Sequence, residues 1–233
     1  MEHNDFLLRL DEMIQERSIL KHPFYRAWLD GTLKLEQLAT YAEVYYPHVA
    51  AFPGYLQAAI GDCQDERVRG EMEANLADEL GRPKAHPELW LDFAAGMGLE
   101  RERAARAEWR PAAQRMVETF DRLARSGSGA ALAALYAYES QQPEVAREKA
   151  VGLRNRYGVK DERTLAYFDV HAEADLEHRA GEREALGWCL EDGADAEVML
   201  RAADEALEAY WGLLDGICEE AGVRNGGMTV NEI

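Results

Sequence analysis

Residues 162–191 read ERTLAYFDVHAEADLEHRAGEREALGWCLE. The run keeps apolar residues at helical spacing and shows no sustained period-two alternation, so it predicts one long helix. Asp161 stands just before it, where a carboxylate caps free amides and meets the positive helix end. Within the run, His171, Asp175 and His178 are spaced H-x3-D-x2-H. At about 100° per residue these offsets fall inside an arc of roughly 60°, so all three project from one face. Two imidazoles and a carboxylate one or two turns apart make a metal-ligand stripe. The competing reading is a solvated polar stripe, since Glu173 and Glu177 already make the helix acidic.

Outward from this helix the chain reads helical almost throughout. Further segments are predicted at about 5–20, 35–63, 65–80, 87–97, 111–125, 129–156 and 195–221, with Ser128 and Asp195 as candidate N-caps. Pro47 and Pro53 interrupt the second segment, and each removes a backbone donor, which predicts kinks or a break. Gly31-Thr32 marks a turn. No strand, repeat or linker emerges, so the fold class is all-α, a bundle of seven or eight helices forming one domain over residues 1–223. The non-periodic stretch from Arg224 to Ile233 reads as a mobile tail.

Composition narrows the function. Lys plus Arg total 26 and Asp plus Glu total 44, a formal charge of 26 − 44 = −18. Such a surface repels phosphates, which excludes nucleic acid and disfavours an anionic membrane as partners. No 18-residue apolar run occurs, and the acidic N-terminus with no apolar stretch after it predicts no signal sequence. Three well-separated cysteines, Cys63, Cys189 and Cys218, lack CxxC spacing and read as buried thiols in a reducing cytoplasm.

Two more segments strengthen the metal reading. Glu79 and His86 flank Leu-Gly-Arg-Pro-Lys-Ala. Pro83 cannot donate to the carbonyl of residue 79, so a helix should stop near Leu80 and the next should begin around Pro87. Such a break lets two ligands seven residues apart aim at one point; an ordinary helix corner is the alternative. Glu139 lies in the apolar run Ala-Leu-Tyr-Ala-Tyr-Glu, just before Pro143. A carboxylate there needs a partner, either a salt bridge or a metal, because desolvating an isolated charge costs several kcal/mol or more. Three carboxylates and three imidazoles suit two iron or manganese ions better than one zinc. Glu-x-x-His occurs only once within this set, at Asp175-Leu-Glu-His178 with Asp in the first place, so a ferritin-like bundle fits less well.

These segments carry a resemblance. His-Pro-Phe-Tyr25, the stretch from Glu36 through Tyr45-Tyr46 to Pro53, Asp78-Glu79 with His86, Tyr136-Ala-Tyr-Glu139-Ser-Gln, Ala146-Arg-Glu-Lys149 and Tyr167-Phe with His171, Asp175 and His178 resemble the haem-oxygenase-like di-metal oxidases. Within them they resemble specifically the chlamydial death-domain-associating proteins and their bacterial relatives, which are related in fold to the pyrroloquinoline-quinone-forming oxidase and thiaminase II. The resemblance spans about residues 6–215. It implies a site for two metal ions, Fe/Fe or Fe/Mn, ligated by Glu79, His86, Glu139, His171, Asp175 and His178. It further implies O2- and reductant-dependent formation of 4-aminobenzoate for folate synthesis, at the expense of the protein's own side chains. Tyr25 matches the ring donor, Lys149 the nitrogen donor, and Tyr41 and Tyr167 match tyrosines that assist electron or radical transfer. Two alternatives stand beside it: a multiple-turnover di-iron oxygenase acting on a diffusible substrate, and a non-enzymatic helical binding protein. A cytoplasmic homodimer is the default state.

Overall fold

The computed structural model describes residues 3–81 and 84–223, and among these the chain forms helices and no strand. In order they are α1 (His3–Glu16), α2 (Pro23–Asp30), α3 (Leu35–Asp62), α4 (Glu66–Glu79), α5 (His86–Gly96), α6 (Arg101–Ala105), α7 (Pro111–Ala124), α8 (Ser128–Glu139), α9 (Gln142–Asn155), α10 (Glu162–Glu191) and α11 (Ala196–Ala221). The all-α expectation holds, and the count exceeds eight for local reasons. The short helices α2 and α6 are too brief for periodicity to reveal. The segment predicted at 129–156 is two helices. Pro143 has no N–H to offer the Glu139 carbonyl, and α8 ends at Glu139. Pro83 and the tail at 224–233 lie outside the described residues.

Two expectations need correction. Pro47 and Pro53 sit inside α3 without breaking it. Fourteen residues of that helix are buried, and it packs on α4, α5, α7, α8 and α11, so tertiary contact holds it together despite two missing donors. Ser128 is not the cap of α8. Gly127, at a φ of 97°, takes that position in a backbone conformation that favours glycine. Asp161 and Asp195 do cap α10 and α11, accepting from the amides of Thr164 and of Glu197 and Val198 respectively.

The centre of the bundle is α8, buried at every residue from Gly129 to Glu139. A helix apolar on all sides belongs in the middle of a core, and α7, α10 and α11 surround it. Two close approaches then set the site. A Cβ on Gly96 would stand 2.2 Å from the Thr164 side chain, so glycine lets α5 meet the start of α10. A Cβ on Gly152 would stand 2.9 Å from the Trp28 indole, so glycine seats α9 on α2. The first contact brings His86 towards α10, and the second brings Lys149 towards Tyr25. Cys63 and Cys189 are buried and Cys218 is partly so, all as free thiols. Among the described residues no helix is long and apolar enough to cross a membrane.

Candidate metal centre

Glu79 is the last residue of α4 and His86 the first of α5, with a proline in the opening turn of α5. Both side chains are buried where α4 and α5 pack against α10. Ligand atoms of Glu79, His86 and His171 all lie within 4.8 Å of one another, and all three residues are buried. His86 Nδ1 is 2.9 Å from Glu79 Oε1, and His171 Nε2 is 3.9 Å from the same oxygen. His171 Nδ1 donates to the Tyr167 carbonyl at 2.6 Å. That bond fixes the tautomer and leaves the Nε2 lone pair aimed at the cluster, the usual second contact of a metal-binding imidazole.

Glu139 and Asp175 line the same small cavity as Glu79 and His171. Both oxygens of Glu139 lie 2.9 Å from Asn75 Nδ2. Burial, eased by hydrogen bonds, pushes the Glu139 carboxyl up to about 7. Asp175 is raised well above the ordinary carboxylate range, first by burial and then by the Glu139 and Glu79 charges. Burial, then the neighbouring His86, holds His171 well below the usual imidazole value. Burial is the first cause of each of these shifts, so the donors sit where a charge is poorly solvated. Asp175 Oδ2 is buried without a hydrogen-bond partner among the described residues. Oxygen and nitrogen donors left in this state fit one or more divalent ions of the iron or manganese type.

His178 stands apart. It is half-buried, with Nε2 3.1 Å from Asp78 Oδ2 but without hydrogen-bond alignment. The predicted set therefore separates into a tight triad, two flanking carboxylates on the shared cavity, and one imidazole a turn further along α10 beside Asp78.

The tyrosines and the lysine form a second cluster. Lys149 is buried, and its Nζ donates to the Tyr41 hydroxyl at 2.8 Å. The Tyr41 hydroxyl lies 3.0 Å from that of Tyr25, and Lys149 Nζ sits 4.7 Å from the Tyr25 ring centroid. Burial alone pulls the Lys149 ammonium well below its usual range. It raises the Tyr25 phenol well above its own. Aromatic rings link the two clusters. Between ring centroids, Tyr167 lies 4.0 Å from His171 and 4.8 Å from Trp90, and Trp90 lies 5.5 Å from Tyr41. The Trp90 indole N–H donates to the Ala42 carbonyl at 2.8 Å.

Sequence reasoning passed over three residues here: Asn75, Trp90 and Glu182. Asn75 lies one turn before Glu79 on α4, and Glu182 lies one turn beyond His178 on α10. Extending each ligand stripe by a turn would have found both. Trp90 carries no signal that separates it from core.

A buried nitrogen–oxygen donor set inside an all-helical bundle is the arrangement of a helical metal-binding protein. Residues 39–211 match the iron-containing redox enzymes of the haem-oxygenase-like type, and the chain belongs to that family. It is 41% identical to a 4-aminobenzoate synthase of Chlamydia pneumoniae, over 88% of this chain and 91% of that one. It is 39% identical to a 4-aminobenzoate synthase of Chlamydia trachomatis serovar D, over 92% and 93%. A domain with a heme oxygenase-like fold from Shewanella denitrificans superposes with a TM-score of 0.77 at 15% identity, over 98% of this chain and 97% of that one.

Proposed function

We propose that the chain forms 4-aminobenzoate from its own Tyr25, with Lys149 as the nitrogen donor. In this reading Glu79, His86, Glu139, His171, Asp175 and His178 hold two metal ions, Fe/Fe or Fe/Mn. When bound, those ions supply the O2-activating redox chemistry, fed by an external reductant.

The observation that carries the reading is the Lys149 amine 4.7 Å from the Tyr25 ring centroid, in a site closed to solvent. The product's nitrogen replaces tyrosine's hydroxyl, and its carboxyl carbon corresponds to tyrosine's Cβ. A lysine held beside that ring is the nitrogen source at hand. The cavity beside the carboxylates is about 10 Å³, roughly the room of one water. The aromatic ring already held beside Lys149 favours an internal substrate over the multiple-turnover alternative. The 4-aminobenzoate synthases among the relatives support the product.

The surrounding residues have definite tasks. Burial disfavours the charged form of Lys149 and so favours the neutral amine, the form able to attack carbon or accept a proton. Tyr41, bonded to both partners, is placed to pass a proton from Tyr25 to Lys149. Tyr167 and Trp90 give electrons an unbroken aromatic route from His171 to Tyr41 and Tyr25. The closed aromatic walls keep water from reactive intermediates. Protein labelled with 15N-lysine and ring-13C-tyrosine tests the reading. Both labels are expected in the product, and an unlabelled product contradicts it.

A further inference from the structure

We propose that Glu182 is a seventh protein ligand of this centre, donating its Oε2 to the ion on the Glu139 side; this rests on the metal reading above. Glu182 is 1% exposed and lies on α10. From His171 the offsets of Asp175, His178 and Glu182 are four, seven and eleven residues. At about 100° per residue all four fall within roughly 60° of arc, so Glu182 continues the ligand stripe by one turn.

Hydrogen counting shows what Glu182 lacks. Asn75 Nδ2 lies 2.9 Å from both Glu139 oxygens and 3.2 Å from Glu182 Oε1. A side-chain amide has two hydrogens, so three carboxylate oxygens share two donors. Glu182 Oε2 is buried with no hydrogen-bond donor on it among the described residues. Among the described residues no lysine or arginine pairs with Glu182. The adjacent Arg183 is committed to Asp11 and Tyr136, and Arg179 to Glu144. A buried carboxylate persists when it is paired or coordinates a metal. No side-chain cation is available, and Glu182 meets Glu139 through a side-chain hydrogen bond that requires a shared proton; a divalent ion in place of that proton neutralises both carboxylates. Asn75 then acts as a bridge that holds Glu139 and Glu182 side by side.

Anaerobic titration of the metal-free full-length chain with Mn(II), counting free ion by electron paramagnetic resonance, tests this. Wild type is expected to take two ions. Glu182→Gln keeps the volume and the acceptor for Asn75 but removes the charge, and one ion is expected to bind about 10- to 100-fold more weakly. Glu182→Asp should recover part of that loss. Two ions bound equally well by wild type and Glu182→Gln overturn the inference while leaving the metal reading intact. A wild type that takes up no ion overturns both. A crystal structure of Mn(II)-loaded wild type gives an answer independent of variant folding. A Glu182 oxygen at about 2.0–2.5 Å from an ion supports the assignment, and a Glu182 left on Asn75 outside coordination distance overturns it.

Discussion

Lys149 Nζ lies over the Tyr25 ring, 4.7 Å from its centroid, and bonds to the Tyr41 hydroxyl, which in turn lies 3.0 Å from the Tyr25 hydroxyl. Helices α2, α3 and α9 deliver these three groups to a dry point inside the bundle. A buried amine without a carboxylate partner is costly, and its retention points to chemistry rather than to stability.

Lys149→Met should therefore abolish product and raise stability at neutral pH. The folded-state value of Lys149 is depressed, so between that value and the unfolded one of about 10.4 the unfolded chain binds the extra proton. Wild-type stability accordingly rises with pH through this window. The variant lacks that rise, and its advantage in thermal melts should shrink as pH approaches 10. A variant less stable than wild type at pH 7 would contradict the assignment of a neutral buried amine.

Tyr41→Phe keeps the ring packing and removes the hydroxyl between Tyr25 and Lys149. Product formation in a single turnover should slow by about 100-fold, the lower range for loss of a positioned proton carrier. Stability should fall by about 1–2 kcal/mol from the two lost hydrogen bonds. An unchanged rate would remove Tyr41 from the proton path.

Asp92 on α5 is buried and receives Lys84, Arg101 and Arg163, with Arg163 Nη2 at 2.7 Å. Burial alone would raise its carboxyl, but bonds from Arg163 and Lys84 and the Arg101 charge outweigh it and hold the value below normal. A depressed carboxyl contributes stability that is complete above the unfolded value near 3.9 and is lost as pH falls through the folded one. Asp92→Asn should cost about 3 kcal/mol at pH 7, and its melting temperature should fall less steeply than wild type below pH 5. Equal acid sensitivity would show that another group governs acid unfolding.

Ions that bind only the folded chain stabilise it by about 2.7 kcal/mol each at a hundredfold excess over Kd. At roughly 2–4 °C per kcal/mol for a chain of this size, chelation should lower the melting temperature of the loaded protein by about 5–10 °C per ion. His171→Ala should show a much smaller response to chelator. A wild type that melts identically with and without chelator would argue against a bound ion.

Much of this was legible in the residue order. The H-x3-D-x2-H face of α10, the corner between Glu79 and His86, and the isolated Glu139 each stood out because a charged group interrupted an apolar or helical pattern. The caps at Asp161 and Asp195 were equally clear, since capping is a local interaction. What escaped depended on distant contacts. Pro47 and Pro53 stay helical because neighbouring helices hold α3. Glu182 looks like any helix glutamate until Asn75 and Glu139 are folded against it. The pairing of Lys149 with Tyr25, 124 positions apart, came only from resemblance, because no local rule distinguishes a buried lysine in Ala-Arg-Glu-Lys from a solvated one.

Sacrifice of Tyr25 is tested most directly by intact-protein mass spectrometry combined with product counting. The metal-loaded chain would be incubated with O2 and reductant, and each chain sequenced for mass change. At most one 4-aminobenzoate per chain is predicted, matched by a mass loss localised to Tyr25 and a change at Lys149. Many product equivalents per chain, with Tyr25 and Lys149 unaltered, would contradict it.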